Sequence, residues 1–301
     1  MDEKEWLADR FEEHRAHLRA VAYRMLGSLT EADDAVQDTW LRLGRSGTGE
    51  VENLGAWLTT VVARVCLNML RSRNVRREES FEVHVPDAVV SRDMQLQPEE
   101  EALLADSVGL ALLVVLDTLT PAERLAFILH DMFEVPFDEI APMVGRTPAA
   151  ARQLASRARR RVKGAQIPAP DPDLARQREV VDAFFQAARG GDFDALVTLL
   201  HPNVVLRIDA GAKLAAASMV VHGAEAVAGQ TTRGLRSILA RPIVQVHPAL
   251  VNGAAGVVVT LRGEPMTVVG FTVVDGTIME IDAIADPERV RRITAAVLTE
   301  E

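Results

Sequence analysis

The feature that most constrains the fold of this chain is a short amphipathic segment, a glycine and a longer basic segment in direct succession. The first segment repeats apolar residues at helical spacing: Phe137, Ile140, Ala141 and Val144. Gly145 interrupts it, and Thr147-Pro148 is typical of a helix start, so a second helix is predicted to about Lys163. This order is typical of the helix-turn-helix, whose second helix enters the DNA major groove. The alternative is an ordinary amphipathic helix with an arginine-rich solvent face.

Net charge alone argues against a nucleic-acid partner, because the 301 residues sum to −10. The positive charge is concentrated, however. Residues 147–164 hold six basic side chains and no acidic one, and residues 62–77 hold five and none. Residues 81–120 between them hold one basic side chain against eight acidic ones. Since a DNA-binding surface depends on where the charge lies, the sequence predicts two DNA-binding helices separated by an acidic connector.

The predicted second helix directs polar side chains away from its apolar face. Arg152 and Gln153 near its start are the candidates for base contacts, since Arg pairs with guanine and Gln with adenine. Ser156 lies on the same outer face. Phosphate contacts are assigned to the basic residues Arg157, Arg159, Arg160 and Lys163.

The other basic segment lies in a predicted helix that begins near Leu54. Its polar face carries four residues that suit bases and phosphates: Thr60, Arg64, Asn68 and Arg71. Trp40 and Trp57 lie on apolar stripes and are predicted core residues, with stacking on an unpaired base as the alternative.

An earlier predicted helix, capped by Thr30, is acidic on one face. That face is formed by Asp33, Asp34, Gln37 and Asp38. It does not favour phosphate, so we expect it to meet a basic protein surface or solvent.

The chain divides into helical and α+β parts. Residues 74–98 lack periodicity and contain Pro86 and Pro98, which predicts an exposed linker, and the run IPAPDPD at 167–173 predicts a second one. Beyond it the sequence predicts two helices, alternating strands, hairpin turns at Asn252-Gly253 and Asp275-Gly276, and a final helix near Asp286-Pro287. The predicted fold is therefore multidomain, with two all-α domains followed by an α+β domain that has an antiparallel sheet.

The sequence argues against several classes of protein. Cys66 is the single cysteine, so neither an internal disulfide nor a thiolate cluster is expected. No apolar run has the length of a membrane span, and the acidic start is not that of a signal peptide, which predicts a reduced, soluble, cytoplasmic protein with no membrane contact. His14 and His17 lack an evident third ligand. We therefore predict no metal, no cofactor and no catalytic residue.

The first half resembles the extracytoplasmic-function (group IV) sigma factors of bacterial RNA polymerase. Sigma region 2 is matched by EADDAVQDTWLRL (31–43) and AWLTTVVARVCLNMLRSR (56–73), and region 4 by LTPAERLAFILHDMFEVPFDEIAPMVGRTPAAARQLASRARRRV within 100–163. The resemblance implies a region 2 domain at 1–74, a linker at 75–98, a region 4 domain at 99–164 and a linker at 165–173.

The same resemblance implies the partners, core RNA polymerase and promoter DNA. It implies that Asp34, Gln37 and Asp38 help to bind the clamp of the polymerase β′ subunit and that region 4 meets the β flap. The helix around Trp57–Arg71 would take the melted −10 strand, and the helix from Thr147 would read the −35 element.

Residues 174–301 resemble the SnoaL-like branch of the nuclear-transport-factor-like cone fold, through the segments 178–211 and 276–290. Some group IV sigma factors carry this domain with an Asp-Gly-Gly-Gly-Lys loop and an Asn-Pro-Asp-Lys-Leu end. Here the run 209–213 reads DAGAK, the run 286–290 reads DPERV, and HVPD at 84–87 stands in place of a tryptophan- and proline-rich linker motif. The resemblance implies a regulatory contact in cis through Asp209, Gly211, Lys213, Asp286 and Pro287.

Two other functions stay open at this point. One is a ligand-responsive helix-turn-helix regulator, and a small ligand in the C-terminal cone suits either that or a sigma factor. The other is a SnoaL-type cyclase or isomerase with a DNA-binding head. Its acid–base groups would come from Asp209, His201, His222, His247 and Asp282.

Overall fold

The computed structural model describes residues 3–46, 53–77, 83–92, 109–165, 170–239 and 241–298. They belong to two compact units. The first unit contains the helices up to residue 77 and those between residues 115 and 165. The second contains residues 83–92, residues 109–114 and everything described from residue 170 onward.

Three helices open the first unit: α1 (Glu3–Leu26), α2 (Leu29–Ser46) and α3 (Leu54–Arg77). They pack on one another through buried side chains such as Leu18, Val36 and Val62. The predicted cap of α2 is wrong, because Thr30 lies inside the helix. Ser28 precedes α2 instead, and its Oγ lies 3.5 Å from the Glu31 amide.

The second group of helices consists of α4 (Leu110–Asp117), α5 (Pro121–Phe127), α6 (Phe137–Val144) and α7 (Pro148–Gly164). Thr120 and Glu123 form a reciprocal capping box at α5, and a π-helical turn, Ile128–Met132, follows that helix. Gly145 adopts a left-handed conformation (φ 67°) between α6 and α7, and Thr147 accepts a hydrogen bond from the Ala150 amide. The predicted helix, glycine turn and second helix are confirmed.

The second unit is built on one seven-stranded sheet. Its strands are β1 (Val90–Ser91), β2 (Leu200–Asp209), β3 (Met219–His222), β4 (Val244–Val251), β5 (Ala254–Leu261), β6 (Glu264–Val274) and β7 (Thr277–Ile284). The strand order is β1-β4-β5-β6-β7-β2-β3. β2 and β7 are parallel, so the prediction of an antiparallel sheet is corrected at that pair.

Tight two-residue turns join the successive strands from β4 to β7. Both residues of each turn have positive φ, which such turns require. Asn252-Gly253 (50° and 79°) and Asp275-Gly276 (50° and 74°) confirm the predicted hairpins. Arg262-Gly263 (57° and 83°) forms a third.

The helices of this unit are α8 (Leu174–Gly190), α9 (Phe193–Leu199), α10 (Ala224–Leu239) and α11 (Pro287–Leu298). One face of the sheet packs on α8, α9 and α10 through a core centred on Phe184, Phe185 and Phe271. Because side chains alternate along a strand, the buried Val258 points to the other face, and so does Val268. On that side α11 packs against β6 and β1.

The segment before β1 corrects the prediction of an exposed linker. Residues 85–91 are buried, and their apolar members Val85, Val89 and Val90 are at most 4% exposed. The neighbouring parts of the predicted linker at 78–82 and 93–98 lie outside the described residues, as do residues 167–169 of the second predicted linker.

The predicted fold class is confirmed: helical domains are followed by an α+β domain. The division into three domains stays a prediction, since the helices of both helical segments, apart from residues 110–114 of α4, belong to one unit. Within the described ranges, no helix combines the length and apolar character needed to cross a membrane. No group of three or more potential ligands is arranged for a metal ion among those same residues.

Candidate functional site

Helix α7 presents an exposed polar face and buries a small-residue face. Ala151, Ala155 and Ala158 are fully buried against the rest of the unit. The opposite side exposes Arg152, Gln153, Arg157 and Arg160, while Ser156 and Arg159 are half-buried. The predicted reading residues therefore share one accessible surface, which we call the α7 face (Arg152, Gln153, Ser156, Arg157, Arg159 and Arg160).

Contacts orient some of these arginines and leave others extended. The Arg152 guanidinium lies 5.2 Å from the centroid of the Phe137 ring, so α6 supports it. Arg159 Nε donates to Asp131 Oδ1 at 2.5 Å, which ties that side chain to the π-helical turn. Arg160 Nε reaches only the Ser156 carbonyl of its own helix, at 3.4 Å. Arg152 is thus held near the start of α7, whereas Arg160 keeps a solvated head.

Helix α3 exposes the second basic surface. Arg64, Asn68 and Arg71 are all exposed, and none of them forms an ion pair with a residue in the part of the chain that the structure describes. Thr60 is half-buried and its hydroxyl donates to the Ala56 carbonyl. Asn68 also lines a cleft of about 300 Å³ between α2 and α3. This α3 face (Arg64, Asn68 and Arg71) is free to meet a ligand.

The acidic face of α2 separates into two parts. Asp34 and Gln37 line a cleft of about 360 Å³ whose floor includes Phe11 and Trp40, with ring centroids 5.1 Å apart. Asp38, one turn further along α2, lines the cleft between α2 and α3 and pairs with Arg42 at 3.0 Å. Asp33 pairs with Arg19 on α1 at 2.6 Å. Asp33 and Asp34 therefore both lie beside the aromatic cleft, and Asp33 is the one that is paired with Arg19.

In the second unit, Arg289 at the start of α11 holds the buried segment 84–87. Its Nε donates to Asp87 Oδ1 at 2.7 Å, its Nη1 to Asp209 Oδ2 at 2.7 Å and its Nη2 to the Val85 carbonyl at 2.5 Å. Asp209 also accepts from the Val85 amide at 2.9 Å. We call this set the linker clamp (Val85, Asp87, Asp209 and Arg289).

The electrostatics of the linker clamp favour the charged forms. Burial alone would raise the pKa of the Asp209 carboxyl, but the His84 side chain, the Val85 amide and Arg289 lower it below its usual range. Burial likewise disfavours the charged Arg289, yet Asp87 and Asp209 raise its pKa. Both carboxylates are at most 4% exposed and share the Arg289 guanidinium as a counter-charge, and His84 lies 3.5 Å from Asp209.

Asn252 holds the same segment at a second point. Its side-chain Oδ1 accepts a hydrogen bond from the Val89 backbone amide at 2.8 Å, and its backbone amide donates to the Val89 carbonyl at 2.9 Å. Directly after it, β1 pairs antiparallel with β4. The linker thus adds an edge strand to the C-terminal sheet.

The predicted regulatory residues surround the linker clamp, but only Asp209 belongs to it. The Gly211 amide donates to Asp209 at 2.9 Å, and Asp286 caps α11 by accepting from the Glu288 and Arg289 amides at 2.9 Å. Pro287 is the first residue of α11, and Lys213 pairs with Glu288 in solvent. Gly211 and Asp286 therefore hold Asp209 and Arg289 in position, and Asp209 itself binds the linker through the Val85 amide.

Sequence reasoning missed Arg289, Asp87 and Asn252. The available signal was the run Val83–Val90, which alternates apolar residues in the manner of a buried strand and has one acid. Pro86 and Pro98 favoured the prediction of an exposed linker over that of a buried strand. An unpaired acid in a buried run requires a basic partner, and nothing local identifies Arg289 as that partner.

Comparisons with known proteins identify the family of the chain. Residues 10–76 match the family Sigma-70 region 2, and residues 109–162 match Sigma-70, region 4. The ECF RNA polymerase sigma factor SigJ of Mycobacterium tuberculosis (strain ATCC 25618 / H37Rv) is 38% identical over 288 residues, which is 93% of this chain and 91% of SigJ. The chain belongs to the ECF RNA polymerase sigma factors. As a sigma factor, it binds core RNA polymerase and directs promoter-specific initiation of transcription.

Other relatives of the sigma factor point the same way. SigI of Mycobacterium tuberculosis (strain CDC 1551 / Oshkosh), a probable ECF RNA polymerase sigma factor, is 40% identical over 200 residues, 65% of this chain and 68% of SigI. The crystal structure of Mycobacterium tuberculosis SigJ superposes with a TM-score of 0.72 at 35% identity, covering 94% of this chain and 97% of that one. The chain is therefore a sigma factor and not an enzyme, and neither alternative function gains support.

The acid–base groups of the enzyme alternative do not converge within the described residues. Asp209 is engaged in the linker clamp, and Asp282 pairs with Arg207 at 3.0 Å on the same face of the sheet. His247 contacts Thr260, His201 contacts the Asn203 amide, and His222 is exposed at β3. The inner face of the sheet is filled by aromatic rings instead.

Asp282 should make the stability of the sigma factor pH-dependent. Burial raises its pKa to about 6 although Arg207 opposes this, so the folded state binds a proton more tightly than the unfolded state. The free energy of unfolding should therefore rise by about 1 kcal/mol as the pH falls from 7 to 5, and Asp282→Asn should remove that gain. The contribution of Asp209 to the pH dependence has the opposite sign because its pKa is lowered. It stabilises the folded state at neutral pH, and this stabilisation is lost only at lower pH.

Hydrogen exchange of the β6 and β7 amides at both pH values is the measurement. Tryptophan fluorescence would miss the effect, since Trp6, Trp40 and Trp57 all lie before residue 77. Arg207 keeps Glu280 as a partner in the variant, at 3.2 Å. An equal pH response of the two proteins would contradict the assignment.

Proposed function

We propose that the α3 face binds the melted −10 strand and that the α7 face reads the −35 element in the major groove. The observation that carries this is the pair of exposed basic rows on two well-packed helices, each free of acidic neighbours along its own helix. Arg and Gln near the start of a recognition helix suit base edges, and solvated arginines further along suit phosphates.

Two substitutions on the α7 face should have different consequences. Arg152→Ala should cost about 1–3 kcal/mol in binding and relax specificity at one base pair, because the side chain supported by Phe137 reads a base. Arg160→Ala should weaken binding to all promoter sequences alike. It should also lower the slope of affinity against salt concentration by the amount that corresponds to about one phosphate contact.

The measurement is binding of the full chain with core polymerase to a set of single-base promoter variants at several salt concentrations. Pro142→Ala, at an exposed position of α6, serves as the control. If Arg152→Ala lowered the affinity equally for every promoter variant, Arg152 would be assigned to phosphate contacts instead.

The polymerase surface is proposed on α2. Asp34 and Gln37 border the cleft between α1 and α2, and its aromatic floor offers apolar area beside the charge, a combination suited to a basic helix of the β′ clamp. Asp38 adds charge on the adjacent side of α2. Contact between region 4 and the β flap completes the proposal and rests on the family alone.

The C-terminal domain is proposed to regulate the sigma factor in cis by holding the linker. Residues 85–91 cannot extend while the linker clamp and β1 bind them, and seven residues account for about 23 Å of reach. Among the predicted interdomain residues, Asp209 would act by binding the Val85 amide and Arg289 directly, and Gly211, Lys213, Asp286 and Pro287 by keeping those partners in place. A ligand in the cone is not part of the proposal, because the inner face packs on Phe184, Phe185 and Phe271.

Promoter-specific transcription by core polymerase tests this regulation. The full chain is compared with Arg289→Met, which releases the linker, and with Arg291→Met, an exposed arginine of the same helix. A changed transcript yield with Arg289→Met alone supports control through the linker. Equal yields from all three proteins would exclude it.

A further inference from the structure

A cleft of about 290 Å³ lies in the second unit, beside the end of β1. β1 pairs with β4 at Val90 and Ser91. Further along that edge of β4, Pro248 has no amide hydrogen to donate to another strand. The pairing therefore ends, and Arg92, the residue after β1, leaves the sheet. The cleft opens between this edge and α8.

The floor of the cleft is apolar. Val181 of α8 and Val257 of β5 are buried there, and Pro248 borders the opening. None of the three aromatic rings at the centre of the core lines the cleft, so it stays open although the inner face of the sheet is filled. Its volume is close to the lower end of small-molecule sites, about 300 Å³, which suits a small ligand with an apolar body.

The rim of the cleft is charged. Arg92 and Arg178 are exposed there, and neither forms a hydrogen bond or an ion pair with any residue that the structure describes. A guanidinium matches a planar carboxylate, which accepts two parallel hydrogen bonds from it. Asp182 lies at the same rim, one helical turn after Arg178, and its charge disfavours a second negative group on a ligand. The rim therefore suits a ligand with a single negative charge.

We propose that this cleft binds a small organic acid with one carboxylate and an apolar body, and that the acid fastens the end of the linker to the C-terminal domain. The carboxylate lies between Arg92 of the linker and Arg178 of α8, and the apolar body covers the floor. A ligand that needs both arginines binds while residues 85–91 stay on the sheet, so it favours that state by mass action. Its effect on transcription rests on the proposed regulation through the linker.

Binding of phenylacetate and octanoate to the full chain, followed by amide chemical shifts in NMR, tests the site. The neutral amides of the two acids and the dicarboxylate phenylsuccinate are the matched comparisons. Each monocarboxylate should bind at least about tenfold more tightly than its amide, the effect of losing charge-assisted hydrogen bonds. Phenylsuccinate should bind more weakly than phenylacetate, and Asp182→Asn should improve its binding about two- to fivefold, the range of an exposed charge pair.

Substitutions at the rim locate the acid. Arg92→Gln and Arg178→Gln should each weaken the monocarboxylates at least about tenfold. Arg189→Gln, exposed in the last turn of α8, should leave their affinity unchanged. No saturable binding of either monocarboxylate would overturn the site. Affinities that both rim variants leave unchanged would overturn it as well, because another surface would then hold the acid.

Hydrogen exchange tests the hold on the linker. At a concentration about 100 times its dissociation constant, a ligand slows exchange through the released state of the linker about 100-fold. The Val89 amide, which donates to Asn252, should therefore exchange at least about tenfold more slowly with phenylacetate at that concentration. The same concentration should have no effect in Arg178→Gln.

An unchanged Val89 exchange rate in the unsubstituted chain would overturn the hold on the linker. Protection of Val89 by phenylacetate with unchanged promoter-specific transcription has a different meaning. It would leave the site in place and overturn the proposed regulation through the linker instead.

Discussion

Replacing Arg289 with methionine should lower the free energy of unfolding of the C-terminal domain by about 3–5 kcal/mol. The reason is that Asp87 and Asp209, both at most 4% exposed, would keep their charges without the guanidinium. The amide of Val85, which donates to Asp209, should lose its protection against hydrogen exchange. The amide of Val89, held independently by Asn252, should lose less.

The contrast between these two amides separates local release of the linker from unfolding of the domain. Arg291→Met on the same helix should change stability by no more than about 0.5 kcal/mol, since its side chain is exposed and bonds only the Pro287 carbonyl. Adding Asp87→Asn to Arg289→Met should recover part of the loss, because it removes one of the two buried charges that Arg289 neutralises. Full protection of Val85 in Arg289→Met would contradict the role of the linker clamp.

Gly211→Ala should be the most damaging change in the predicted regulatory loop. Gly211 has φ 75°, and an added Cβ would lie within van der Waals overlap of Asp286, whose carboxylate caps α11. Loss of the cap and the backbone strain together should cost about 2–4 kcal/mol. Because Arg289 lies in the first turn of α11, the linker clamp should loosen at the same time.

Gly253→Ala is the matched control for this substitution. Gly253 also has positive φ (79°), but nothing lies within 4 Å of an added Cβ. Gly253→Ala should lower the free energy of unfolding by about 1 kcal/mol, because backbone strain is its sole effect. The α11 amides should keep their protection against hydrogen exchange. Equal effects of the two alanines on hydrogen exchange in α11 would show that contact with Asp286 is irrelevant.

Local features of the sequence were sufficient for much of the fold. The capping box at Thr120, the left-handed Gly145 and the Asn252-Gly253 turn each depend on residues within four positions of one another, so a pattern read along the chain identifies them. Alternation along β5 and β6 likewise assigns the inner face. The α3 and α7 faces follow from helical periodicity, because exposure on a helix is set by spacing.

The linker clamp could not be derived in this way. Arg289 and Asp87 are 202 residues apart. They leave no local pattern, since a buried ion pair is recognised only when its partners are brought together. The prediction of an exposed linker was wrong for the same reason. The alternation of apolar residues in this segment does not show whether the segment is buried until it pairs with the edge of a sheet.

The amino-acid sequence by itself therefore determined the helices, the hairpins, the basic faces and the family, because periodicity, capping and charge act over a few residues. Only the tertiary structure decided what the linker binds and which arginines keep exposed side chains. Burial and counter-charge are properties of assembled surfaces, and their cost or benefit exists only once distant segments exclude water together.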